Sequence, residues 1–113
     1  MNNFILMTDG YKLSHFNQYP KRTEKVYSYL EARSNRHMDE TVFFGLKYYL
    51  NKYMTGSVVS KADVINAKHF FKKYMPNAEF NEHGWNYIVN RHGGRLPLEI
   101  KAVDEGTVVP TGN

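Results

Sequence analysis

Near its start the chain gathers four side chains able to do chemistry: Asp9, Tyr11, Lys12 and His15, all within residues 8–20 (TDGYKLSHFNQYP). The stretch has no convincing apolar period, which is an unusual way for a small protein to begin. Two readings follow. In the plain one, Tyr11, Phe16 and Tyr19 are hydrophobic anchors that pin an N-terminal arm onto a sheet. In the sharper one, the polar and aromatic groups belong to a binding site.

Other candidate chemistry is weaker. The five histidines, His15, His37, His69, His83 and His92, show no ligand spacing, and there are no cysteines to assist them, so no metal site is expected. Residues 91–95 (RHGGR) look like a glycine-rich phosphate loop but follow a helix pattern, whereas phosphate loops precede a helix; they read as a helix stop. Nucleotide-binding Gly-x-Gly-x-x-Gly and Walker sequences and the Gly-x-Ser-x-Gly elbow are absent. Tyr27 and Tyr29 beside Arg33 could offer bases a stacking platform, but without the RNP pattern single-stranded nucleic acid is a distant alternative.

The elements that must position these groups can be read from periodicity. Residues 25–33 (KVYSYLEAR) alternate strictly, with Val26, Ser28, Leu30 and Ala32 on one face and Tyr27, Tyr29, Glu31 and Arg33 on the other, which predicts a strand. Asp39 is placed to cap a helix carrying Val42, Leu46, Tyr49, Leu50 and Tyr53, with Gly45 inside it for close approach and Gly56 at its end. Ser60 and Asp63 form a capping box for a second helix with Val64, Ala67, Phe71, Tyr74 and Met75 as its stripe, stopped by Pro76. A third helix starts near Asn81, buries Trp85, Ile88 and Val89, and ends at Gly93 and Gly94. Residues 96–103 (LPLEIKAV) alternate as a strand, Asp104, Glu105 and Gly106 turn the chain, and residues 107–110 return. The expectation is one α+β domain over residues 1–113: a small antiparallel sheet with about three helices on one side of it.

Composition agrees with such a domain. The chain has 113 residues, 42% hydrophobic and 23% charged, and it lacks cysteine, which suits a reducing cytoplasm. No apolar run approaches a signal peptide or a membrane span. The net charge of +4 is spread along the chain and reads as a mildly basic surface.

Taken together, MTDGYKLSHFNQYP, KVYSYLEARS, ETVFFGLKYYLNKYM, FNEHGWNYIV and LPLEIKAVDEGTVVPTGN resemble the amino-terminal region of the nicotinamide phosphoribosyltransferases, motif after motif in the family's order. The connection between Arg33 and Glu40 is shorter here than in vertebrate members, and the family continues for several times this length through an α/β barrel that this chain lacks. The resemblance implies transfer of a phosphoribosyl group from phosphoribosyl pyrophosphate, which brings Mg2+, to nicotinamide, giving nicotinamide mononucleotide and pyrophosphate for NAD synthesis. It implies homodimers with active sites at the subunit interface. It also implies that Tyr11 stacks on nicotinamide in the partner's site, that Asp9 lies near the same pocket, and that Arg33 adds positive charge on the phosphate side. No residue of this chain is then catalytic, and the chain alone is expected to be inactive. It is either a piece of a full-length transferase or, as the alternative, a stand-alone module that pairs with one and modulates it.

Overall fold

The computed structural model describes residues 2–112. In chain order its regular elements are a 3-10 turn (Phe4–Leu6), a 3-10 helix (Gly10–Gln18), β1 (Glu40–Val42), α1 (Leu46–Tyr49) running into a π-helical turn (Leu50–Met54), α2 (Lys61–Tyr74), α3 (Glu82–His92) and β2 (Val108–Pro110). This is a small α+β fold, not a barrel.

The helical side forms for reasons local to the sequence. Ser60 Oγ accepts from the Asp63 N–H at 3.1 Å while the Asp63 carboxylate accepts from the Ser60 N–H at 2.8 Å, so two donors that α2 would leave orphaned are satisfied reciprocally. Val64, Ala67 and Phe71 then fall on one buried face, and Pro76 follows the C-cap Met75. Asn81 caps α3 by accepting from the Gly84 N–H at 2.9 Å, and Gly93 ends it with a φ of 60°.

Between the two helices lies the core: Ile5, Val59, Val64 and Ala67, with Leu13, Phe80, Trp85, Val89 and Leu96 against them. Phe71 is equally buried, its ring centroid 5.8 Å from that of Phe80, and burial of a side chain this size contributes roughly 2–3 kcal/mol. Gly94 ties the loop before α2 to the end of α3. Its carbonyl accepts from the Val58 and Val59 N–H groups, at 2.9 and 3.2 Å, and its own N–H donates to Ile88. With a φ of 79° and the Val59 carbonyl where a Cβ would lie, only glycine fits.

The other side departs from expectation at several positions. Residues 25–33 belong to no sheet, and the same holds for 96–103. Residues 107–110 do return as β2, yet β2 pairs antiparallel with β1, with Glu40 opposite Pro110 and Val42 opposite Val108. Residues 40–44 (ETVFF) are β-branched and aromatic, and this preference for a pleated surface prevails over the helical period read through Val42. Asp39 consequently caps nothing; its carbonyl accepts from the Thr111 N–H at 2.8 Å. Gly45 lies before α1 rather than inside it, with a φ of 105° and open space where a Cβ would stand, so it serves the turn and not a close approach.

The turn after residue 103 does more than reverse the chain. The Glu105 carboxylate accepts from the Gly45 N–H at 2.7 Å and the Lys47 N–H at 2.8 Å, capping α1 from almost sixty residues away. These backbone bonds, Lys47 first, hold its carboxyl below the ordinary value of 4.5. The radius of gyration is 16.8 Å, against about 13 Å for a well-packed domain of this length. The apolar side chains of residues 26–30 and of Leu98, Ile100 and Val103 stand in solvent.

Candidate functional site

Asp9 is the N-cap residue of the Gly10–Gln18 helix, with its carbonyl accepting from Lys12 at 3.0 Å and its carboxylate left out of the cap. That carboxylate meets the Lys12 ammonium at 3.4 Å, an exposed i,i+3 pair of little worth to stability. Tyr11 lies two residues after Asp9, 56% exposed, its ring 5.2 Å from that of His15 in a tilted arrangement. The four side chains singled out in the sequence therefore lie along the first two turns of one helix, with Asp9, Tyr11 and Lys12 exposed and His15 half-buried.

This arm is held from below, though by other residues than expected. Ile5 is its buried anchor, joined by Phe4, Leu6 and Leu13, while Phe16 is half-buried and Tyr19 and Tyr11 are exposed. Asn3 adds two bonds: its Oδ1 accepts from the Ile5 N–H at 3.1 Å, and its Nδ2 donates to the Asp63 carbonyl at 2.8 Å. Asn17 donates to the Glu79 carboxylate at 3.1 Å. Gly10 lets the arm approach the end of α2, because a Cβ there would sit 2.7 Å from the ring of Tyr74. Periodicity missed Ile5 and Gly10, and it placed Tyr74 in the buried stripe of α2, where the structure leaves it exposed and against Gly10; the apolar run 4–7 behind Asn3 was the available signal for Ile5.

Arg33 sits apart from this group, at the end of the 25–33 segment. Its neighbour Ala32 accepts from the Gly112 N–H at 2.8 Å, and the following turn is closed by Asn35 Oδ1, which accepts from the His37 and Met38 N–H groups at 2.9 Å. Arg33 is exposed, and among the described residues it has no ion-pair partner.

Two hollows lie near the arm. A hollow of about 290 Å³ behind the arm is lined by Lys12, Leu13, Phe16, Asn81, Gly84, Trp85 and Ile88, and a more open one of about 480 Å³ runs past Tyr19 to Val26. Neither is lined by Asp9, Tyr11 or Arg33. An exposed aromatic ring, carboxylate and guanidinium can close one side of a pocket that another surface provides. A further aromatic group, read in the sequence only as part of a helix stripe, lies on α1 and its π-turn, with Tyr48 and Tyr49 exposed and Tyr53 half-buried. There Lys52 donates to the Tyr48 hydroxyl at 2.8 Å and lies 5.2 Å from the ring centroids of Tyr48 and Tyr53, and the Tyr48 bond leads the causes that raise the lysine's pKa.

Among the described residues no group of three or more His, Asp or Glu side chains converges as a metal site would require, and no helix is long and apolar enough to cross a membrane.

The family model described as nicotinamide phosphoribosyltransferase, N-terminal domain, matches residues 3–100. A nicotinamide phosphoribosyltransferase of Xanthomonas campestris pv. campestris (strain 8004) is 44% identical over 113 residues, covering 100% of this chain and 23% of the relative. Another, from Acinetobacter baylyi, is 31% identical over 115 residues, covering 89% of this chain and 22% of the relative. The chain thus spans less than a quarter of the length of the curated relatives it matches.

Proposed function

Because the chain belongs to the nicotinamide phosphoribosyltransferase family, by its N-terminal domain, we propose that it is the part of such an enzyme that completes the active site of a partner subunit. The reaction is transfer of the phosphoribosyl group of phosphoribosyl pyrophosphate to the ring nitrogen of nicotinamide, in the cytoplasm, by a homodimer. The observation that carries this reading is the outward display of Tyr11 and Asp9 on an arm anchored by Ile5, outside both of the hollows described above. A functional pair that is rigidly held yet open suits a surface that closes over someone else's ligand.

Each residue has a physical task in that arrangement. Tyr11 stacks on the flat, electron-poor nicotinamide ring, an interaction worth about 0.5–1.5 kcal/mol beyond the area it buries. Stacking also aims the ring nitrogen at the ribose carbon, the positional part of the rate gain. Asp9 accepts hydrogen bonds at the rim of the same pocket, and Arg33 places a planar fork on the phosphate side. Mg2+, which accompanies phosphoribosyl pyrophosphate, finds no cluster of acidic or imidazole ligands among the described residues, so the tasks of this chain are assigned without it. Chemistry at the ribose carbon is left to the rest of the enzyme, and the chain alone is inactive. The exposed apolar side chains of residues 26–30 favour a piece of a larger enzyme over a free-standing modulator.

The test uses a chimera: the Xanthomonas campestris relative with its matched residues replaced by this chain. Tyr11→Ala is expected to raise the KM for nicotinamide about 10-fold with little change for phosphoribosyl pyrophosphate, the magnitude of one lost stacking contact. Arg33→Ala is expected to do the reverse. Equal effects on both substrates from either variant would remove the residue assignments.

A further inference from the structure

The arm fixes the main chain on both sides of Tyr11. Before it, Gly10 lies against the ring of Tyr74, which a Cβ would meet at 2.7 Å; after it, Leu13 packs on the core. The Lys12 N–H donates to the Asp9 carbonyl at 3.0 Å, and Ser14 Oγ donates to the Tyr11 carbonyl at 3.1 Å. These contacts set where the Cα of Tyr11 stands, but they leave the two torsions of its side chain to be settled by something else. A ring that is loose until its ligand arrives must give up that freedom on binding, which weakens binding by about 3- to 10-fold.

One neighbour is placed to supply the restraint. Among the described residues, the ring paired with Tyr11 is that of His15, with centroids 5.2 Å apart and planes inclined at 58°. The separation lies within the range that aromatic pairs favour, and a single tilted neighbour can occupy only one side of the tyrosine. His15 is half-buried and so is itself restrained, whereas Tyr11 remains 56% exposed. Among the described residues His15 forms no ion pair, so what it offers Tyr11 is a flat surface rather than a charge held in place.

We propose that His15 is a positioning residue for nicotinamide: its imidazole backs the ring of Tyr11 on one side, holds it in one rotamer and leaves the opposite face clear for the ligand. His15 does not touch nicotinamide in this arrangement. It acts through Tyr11, by moving the loss of torsional freedom from the binding step to folding. The inference rests on the stacking role proposed for Tyr11 and adds how that ring is held before the ligand arrives. Flatness is what the task requires, so phenylalanine should serve at position 15 and alanine should not.

Two measurements test this. On the chain itself, NMR coupling constants should report one χ1 rotamer for Tyr11, and averaging over rotamers in His15→Ala; averaging in both proteins, or in neither, overturns the proposal. On the chimera, His15→Ala should raise the KM for nicotinamide about 3-fold, the lower end of the cost of ordering one side chain, with little change in kcat or in the KM for phosphoribosyl pyrophosphate. His15→Phe should restore the unmodified value. In a Tyr11→Ala background His15→Ala should add nothing, because no ring is left to hold. A rise in both KM values, or a loss that phenylalanine does not restore, would mean that His15 meets a substrate itself, and overturns the proposal. If Tyr11→Ala leaves the KM for nicotinamide unchanged, the stacking role falls and this inference with it; if Tyr11→Ala acts and His15→Ala does not, this inference alone falls. Should the chimera not fold, the coupling constants on the chain decide.

Discussion

On the α2–α3 side of the molecule a stripe of apolar residues at helical spacing is buried as it is formed, each face meeting the other helix or the Phe4–Leu6 turn. On the β1–β2 side an equally regular alternation, in residues 25–33, is left in solvent, and only three residues of each strand pair. The two regions follow equally clear local patterns; they differ in who supplies the neighbour. A helix satisfies its own backbone and needs a partner for one face only, whereas a strand needs partners for its backbone as well, and an isolated strand gains nothing to offset the entropy of being held extended.

Breaking the helical side should therefore cost most. Phe71→Ala is expected to lose about 3–5 kcal/mol in denaturant unfolding of the chain, since a buried ring is replaced by a cavity beside Phe80. A loss below ~1 kcal/mol would mean that the two sides are less different than their burial suggests. Ser60→Ala removes one half of the capping box and should cost about 1 kcal/mol, with the loss read equally in helix content and in the unfolding midpoint.

A pH titration sharpens the contrast at the sheet. Glu105 has a folded pKa below its ordinary 4.5, so its contribution is present above that value and is lost as pH falls through the depressed one. Glu105→Gln should lower the thermal midpoint at pH 7 by less than the Ser60 variant does, and the gap from the unmodified chain should close as the pH is taken towards 3. A gap independent of pH would show that shape, and not charge, holds α1 to the turn. The smallest effect is expected at Leu30→Ser. In the chain alone it should shift stability by no more than about 0.5 kcal/mol, as for any exposed position without a partner. A larger loss would reveal an unrecognised neighbour and collapse the distinction between the two sides.

How much of this was legible follows from the same distinction. The capping box at Ser60, the stripe through Val64, Ala67 and Phe71, the stop at Pro76 and the Asn81 to Gly93 helix were all readable because their causes lie within a few residues. The strand character of residues 40–42 was hidden by a coincident helical spacing, and its partner β2 lies almost seventy residues away. Glu105 at the N–H groups of Gly45 and Lys47 has no local signature at all. For the candidate site, residue types marked Asp9 and Tyr11 as unusual and family resemblance gave them tasks. Their support by Ile5, and the contact of Gly10 with Tyr74, belong to tertiary structure alone.

The ring of Tyr74 resting on Gly10 has a consequence for how this protein is surveyed by mutation. Gly10 stands between Asp9 and Tyr11, and Tyr74 is one helical turn beyond the buried Phe71. The display of the arm is thus geared to the end of α2. Under the role proposed for Tyr11, a scan of the chimera scored only by nicotinamide turnover will read substitutions at Phe71 or Tyr74 as loss of Tyr11. Only a parallel score for abundance or melting will separate a ring that is missing from one that is merely mis-aimed.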